Sequence, residues 1–151
     1  MHLPFALHRD PRARSALRDE VLQRGLATLR GPLNITNRTR GTVVATRCAV
    51  ANSFLTRGIG LIGRSGLAAG EGLLITKTGS ITMLFMRFAI DAVFLDRSMR
   101  VLRVAERLRP WVPAVGAPRG TDSVLEVPAG TAARTGTQAG DELISSKSTA
   151  R

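Results

Sequence analysis

Arg87 and Asp91 bracket an apolar triplet, Phe88-Ala89-Ile90, and the residues that follow, Ala92 to Leu95, are apolar as well. A guanidinium and a carboxylate at such a bend suit two kinds of chemistry. In a binding mouth, Arg87 donates to an anion or polyol and Asp91 accepts. In a brace, the two pair with each other or satisfy buried backbone groups. The brace is the favoured reading, because ion-pair networks of this sort need no ligand to exist. Arg64 follows the glycine-flanked turn at residues 60–63, where it can face an anion or pair with Glu71 or Glu126. The turn lacks the Gly-Lys-Ser/Thr ending of a P-loop, so it reads as a tight connection rather than a phosphate cradle. Glu126 sits between Leu125 and Val127. A carboxylate in so apolar a strand is either an acid with a raised pKa or the partner of a nearby Arg. Trp111, in a proline-rich loop, either stacks on a sugar or base or clamps that loop onto the core.

Other chemistries lack their residues. The two histidines, His2 and His8, both lie near the N-terminus. A Ser-His-Asp arrangement or a His-ligated metal within the main domain therefore has no histidine to use. Asp91, Asp96, Asp122, Glu126, Asp141 and Glu142 follow no calcium-loop spacing and read as solvated carboxylates, so no metal and no cofactor is expected. No two of them can be claimed as a glycosidase pair without a known separation. The single cysteine, Cys48, excludes an internal disulfide, and among Ala and Val it reads as a packing residue. One cysteine and no recognisable signal peptide lead us to expect a cytoplasmic protein, and no apolar run reaches the ~18 residues of a membrane span.

The chain of 151 residues carries 22 Lys and Arg against 11 Asp and Glu, a net charge of +11. Such a balance favours polyanions. Yet the Arg residues are dispersed, no long basic run occurs, and aromatic residues are only 4%, which argues against a specific nucleic-acid site. Hydrophobic residues at 44% provide for a real core built from aliphatic side chains.

The elements that must position these residues are mostly strands. Residues 1–32 form a basic arm with a candidate helix from Ser15 to Arg30, stopped by Gly31-Pro32. Residues 33–145 form one β domain, and 146–151 a polar tail. Within the domain, Asn37–Gly41 predicts a turn, and Thr42–Val50 a strand with Val44, Thr46, Cys48 and Val50 on one face. Ser53 predicts the cap of a short helix. Further strands are expected at Gly72–Thr76, Ser80–Met86, Asp91–Asp96, Arg100–Arg107, Thr121–Val127 and Asp141–Ser145. The runs Leu73-Leu74-Ile75 and Val93-Phe94-Leu95 are apolar on both faces, which places their strands centrally. Met83, Phe85, Met86 and Phe88 read as core.

Together these segments carry a resemblance. Arg57 with Gly60-Leu61-Ile62-Gly63-Arg64 is similar to an R-x-x-G-L-x-G-R element. Gly70-Glu71-Gly72-Leu73-Leu74-Ile75, then Ser80 to Asp96, Leu108-Arg109-Pro110-Trp111, Val124 to Gly130 and Gly140-Asp141 follow in order. The series, from about Thr42 to Ile144, resembles the bacterial and archaeal family known as domain of unknown function 192. The resemblance implies a compact β-sandwich of jelly-roll type with a short helix, and brings no established activity. Close relatives usually read Ser-Ile-His-Thr where this chain has Ser80-Ile81-Thr82-Met83, often have Pro at Ala89, and Arg at Val112. The histidine that would serve as acid, base or ligand is absent.

The expected fold is thus mainly β, preceded by a basic arm and helix. The expected function is a non-catalytic binding or accessory module for a small polar or anionic ligand or a protein partner, met by Arg64, Arg87, Asp91, Trp111 and Glu126. One alternative is a hydrolase-like enzyme acting on a carbohydrate or phosphorylated metabolite, with Asp91 and Glu126 or Asp141 as acid and base. The other is a basic protein associating nonspecifically with nucleic acid.

Overall fold

The computed structural model describes residues 32–51 and 61–149. The basic arm, its candidate helix, Arg57 and the helix expected after Ser53 lie outside the described residues. Nine strands occur among the described residues: β1 (Leu33–Asn37), β2 (Thr42–Ala51), β3 (Glu71–Thr76), β4 (Ser80–Ile81), β5 (Ile90–Leu95), β6 (Val101–Leu108), β7 (Val115–Gly116), β8 (Ser123–Pro128) and β9 (Leu143–Lys147). One short helix, α1 (Thr131–Thr135), precedes β9. Seven strands make one sheet in the order β6-β5-β8-β3-β2-β1-β9, and β4 pairs with β7 in a separate ribbon. Within the larger sheet only β2 and β3 run parallel. The mainly β expectation holds, as a curled sheet with one short helix.

The central strands behave as their composition dictates. All six residues of β5 are buried, and so are Gly72, Leu73, Leu74 and Ile75 of β3. Both faces of these strands are covered, so alternation between polar and apolar residues is not required of them. One face contributes Leu74, Val93, Leu95, Leu125 and Val127 to a cluster shared with Ile35, Val44, Cys48, Val101 and Leu143. Every strand of the large sheet thus donates to it, and the cluster fills the inside of the curl. The opposite face contributes Leu73, Ile75, Ala92, Phe94 and Val124 to a second cluster, which Ile81, Met83, Met86 and Val115 cover from the ribbon and its loops.

The curl originates in β2. Leu33 pairs with Cys48, Ile35 with Ala45 and Thr36 with Val43, so β2 has extra residues at two places. Each such bulge bends the strand and strengthens its twist. It also breaks the simple alternation expected for this strand. Val44 and Ala45 are both buried, whereas Thr46 is turned to solvent. The two ends of the sheet then meet. Arg100 bridges Glu142, the Val101 amide donates to the Asp141 carbonyl at 2.8 Å, and the Gly140 amide donates to the Val101 carbonyl at 2.8 Å.

Three further differences from expectation have local causes. The apolar run from Ser80 is a strand only to Ile81. Beyond it the chain turns, with the Met86 amide on the Met83 carbonyl at 3.2 Å. The Gly-rich connection before the last strand contains α1, whose flanking Gly130 and Gly136 both take left-handed backbone angles that suit glycine. Finally, β9 runs two residues into the expected tail, and the Ser148 amide donates to the Pro32 carbonyl at 2.9 Å.

Candidate functional site

Asp91 is fully buried, and its side chain points to the inner face with Val93 and Leu95. One carboxylate oxygen accepts from the Arg107 amide at 2.8 Å. The other accepts from Gly130 at 3.0 Å and Ala132 at 2.9 Å. Asp91 therefore holds a bulge in β6, where Arg107 has a φ of 50°, and caps the first turn of α1. Arg87 is exposed on the loop before β5, and no ion pair joins it to Asp91 among the described residues. The structure does not bring these two together, since one belongs to the interior and the other to the surface.

Arg64 pairs with Glu71, Nη2 to Oε2 at 3.2 Å, and the same Oε2 accepts from the Ala68 amide at 3.0 Å. The pair is half-buried and fixes the approach to β3. Glu126 lies on the outer face of β8, flanked in register by Leu73 of β3 and Ala92 of β5. It is only 5% exposed. No Arg reaches it among the described residues, and burial pushes its carboxyl up to about 7. Cys48 is fully buried, and burial pushes its thiol up to about 12, which leaves it protonated and unreactive.

A polar knot lies elsewhere. Asp141 is buried and accepts from Arg40 Nε at 3.1 Å, from Asn37 Nδ2 at 2.9 Å and from the Gln138 amide at 3.1 Å. Asn37 also donates to the Thr137 hydroxyl at 3.2 Å. The knot ties the β1–β2 turn to the loop before β9. Its groups are satisfied by one another, so it serves the fold. Among the described residues, no group of acids, His or Cys is arranged to hold a metal ion.

The surface feature that stands apart is aromatic. Trp111 is 58% exposed and Phe85 is 62% exposed. Their rings meet edge to face, with centroids 5.2 Å apart and planes at 63°. Both residues adopt left-handed backbone angles, φ 71° for Trp111 and φ 63° for Phe85. Such angles strain a bulky side chain and persist only where the surroundings enforce them. Enforcement comes from the backbone: Trp111 N donates to the Met83 carbonyl at 2.8 Å, and Met83 N donates to the Val112 carbonyl at 2.9 Å. The Leu84 amide donates to the Thr82 hydroxyl at 3.1 Å. Met83 and Met86 point into the outer cluster, while the turn between them throws Phe85 outward. Phe85 is thus a surface residue rather than the core residue expected. A turn at that point was not legible from an unbroken apolar run. Trp111, expected more often to clamp its loop onto the core than to stack on a ligand, likewise stands mostly in solvent.

Arg87 and Arg109 are exposed two positions beyond Phe85 and before Trp111, respectively. Neither forms an ion pair among the described residues. The arrangement offers two apolar rings with two exposed cations close to them in sequence. It carries no nucleophile and no acid–base pair.

Comparison with known proteins gives the following. The model of domain of unknown function 192, described as "Uncharacterized ACR", matches residues 35–145. A "UPF0127 protein" from Thermococcus sibiricus is 32% identical over 114 residues, covering 71% of each chain. A crystal structure of a protein of unknown function from Novosphingobium aromaticivorans matches with a TM-score of 0.67 and 24% identity, over 75% of this chain and 83% of that one. A "putative transcription regulator" from Sinorhizobium meliloti matches with a TM-score of 0.68 and 21% identity, over 76% and 92%. At these identities the two structures establish the fold alone.

Proposed function

From the premise that this chain belongs to the family of domain of unknown function 192, we propose that it is a non-catalytic binding module whose contact surface is the Phe85–Trp111 rim. The observation that carries the reading is the pair of exposed rings, each held out by a strained backbone. Large apolar side chains standing together at a surface mark contact sites more often than isolated ones do. Rigid aromatic anchors also give up little conformational entropy on binding. Arg87 and Arg109 set the sign of the partner: it carries negative charge. Asp91 supports the module from within, and Arg64 fixes the approach to β3.

Trp111 is the sole Trp and the chain has no Tyr, so intrinsic fluorescence reports on this rim alone. Titration with sugar phosphates, nucleotides, sulfated oligosaccharides and an oligonucleotide is expected to shift Trp111 emission for an anionic partner. The oligonucleotide is included because the Sinorhizobium relative in fold is described as a transcription regulator. The shift is expected to disappear in Phe85→Ala and in the Arg87→Ala/Arg109→Ala double variant, with both still folded. If both variants instead melt far below the wild type, the rings are fold determinants and the reading fails.

A further inference from the structure

Residues 77–90 and 107–121 contain no Asp or Glu and carry five basic residues: Lys77, Arg87, Arg107, Arg109 and Arg119. Acids are present in the rest of the domain, so the asymmetry is local. The two segments are joined in space. Ser80 pairs with Gly116 and Ile81 with Val115, and beyond this ribbon Met83 bonds both Trp111 and Val112 through the backbone. Between the sheet strands they form one lobe over the sheet's outer face, whereas Arg107 belongs to β6 and its guanidinium lies beside Gly130. The end of the lobe is the aromatic rim, where exposed Phe85 and Trp111 are flanked in sequence by half-buried Leu84 and Pro110, while Val112 packs against the outer cluster. Arg87 and Arg109, close in sequence to the two rings, are exposed and form no ion pair among the described residues, while Lys77 and Arg119 lie toward the other end of the ribbon.

We infer that this lobe docks on an anionic lipid surface. The inference rests on the binding-module reading and names its partner. Three observations favour a membrane over other polyanions. First, the tip is apolar as well as aromatic, and Trp and Phe beside Leu and Pro match the boundary between headgroups and acyl chains. Second, the rings are packed edge to face. They offer no open slot for a base, and a strand of nucleic acid needs successive separate stacking faces. Third, the rim supplies the two signals that stable peripheral attachment takes, a shallow apolar insertion and flanking cations at Arg87 and Arg109. The side chains that would enter the bilayer are already exposed, so docking requires no opening of the core.

The test uses the full chain with vesicles of phosphatidylcholine alone and vesicles containing roughly one-third phosphatidylglycerol, enough to set up a negative surface potential. The wild type is expected to sediment with the anionic vesicles and hardly at all with the neutral ones. Its Trp111 emission should move to the blue and be quenched by acyl chains brominated near the headgroup. Salt at about 0.5 M should release it, because the Debye length falls to a few Å. Each Arg near the surface contributes about fivefold in affinity, so Arg87→Ala/Arg109→Ala should lose roughly thirtyfold. Phe85→Ala and Trp111→Ala should sediment less while melting like the wild type. Residues 1–31 are present in every variant, so their charge cancels from these comparisons.

Sedimentation that leaves Trp111 unquenched and is insensitive to both ring substitutions would overturn the inference, because the attraction would then be diffuse charge. No vesicle binding, with a Trp111 response to a soluble anion, would overturn the lipid partner and keep the binding rim. No response to vesicles or to any soluble anion would sink both.

Discussion

Asp91 and Glu126 are acids one strand apart, and the sheet treats them in opposite ways. Asp91 meets three backbone amides, so removing its carboxylate strands several buried donors. Asp91→Ala is expected to cost about 3–5 kcal/mol in urea unfolding, with Asp91→Asn intermediate because one oxygen remains as acceptor. Glu126 has no such support among the described residues, and burial raises its pKa from 4.5 to about 7. Its folded pKa lies above the unfolded one. Stability is therefore fully present below about pH 4.5, declines as the unfolded chain ionises first, and levels off above about 7. Glu126→Gln should remove that decline and exceed the wild type at pH 8 by up to roughly 3 kcal/mol in thermal or urea melts. Asp141 has the opposite sign. Burial acts to raise it, but hydrogen bonds from Arg40, Asn37 and the Gln138 amide, with the Arg40 charge, hold it below the ordinary value. Its stabilisation is present above the unfolded carboxylate pKa of about 3.9 and is lost as pH falls through the lower folded value. The wild type should thus be most stable at mildly acidic pH. Asp141→Asn should flatten the acid limb and Glu126→Gln the neutral one.

At the scale of elements, legibility followed the number of faces each segment buries. The strands β3 and β5 could be placed centrally from sequence because both of their faces are apolar. The single face assigned to Val44, Thr46, Cys48 and Val50 of β2 fails, because two bulges shift the pairing and a slip of one residue reverses every side chain. The helix α1 has five residues with two Thr between two Gly, a composition that also suits a loop. It holds because Asp91, distant in sequence, caps it. The aromatic rim was half legible: Trp111 stood out, while Phe85 was hidden inside a run that read as core. Arg87 and Asp91 seemed a pair because they are close in sequence, but a loop residue and a strand residue need not share a side. The approach to β3 gives an element-scale prediction. Gly70 has a φ of +83°, and a Cβ there would lie 2.6 Å from the Thr46 hydroxyl. Gly70→Ala should cost about 1–2 kcal/mol from backbone strain, and Thr46→Ser should not restore it. Cys48, buried on β2, should react with a thiol reagent only as fast as the domain opens, and at once in denaturant.

Across the whole molecule, the curl separates two tasks. Its inside is a closed apolar cluster that sets stability, and its outer face supports the ribbon that carries the aromatic rim. Substitutions at the rim should therefore alter binding without moving the melting temperature. Substitutions at Val93, Leu125 or Leu143 should do the reverse, with truncation to Ala at Leu125 or Leu143 costing about 2–5 kcal/mol in urea unfolding. Among the described residues no helix is long and apolar enough to cross a membrane.

The pairing of β1 with β9 has a consequence for how the chain is made. β1 opens the described part of the domain and β9 closes it, yet they lie side by side along their full length, from Leu33 opposite Lys147 to Asn37 opposite Leu143. A ribosome delivers β1 more than a hundred residues before its neighbour, so throughout synthesis one edge of β1 has no partner strand. The contacts of Arg100 and Val101 with residues 140–142 wait for the same final segment. During synthesis the sheet therefore cannot close before this segment has emerged. A nascent chain stalled before Asp141 should remain open to proteases that the released protein resists.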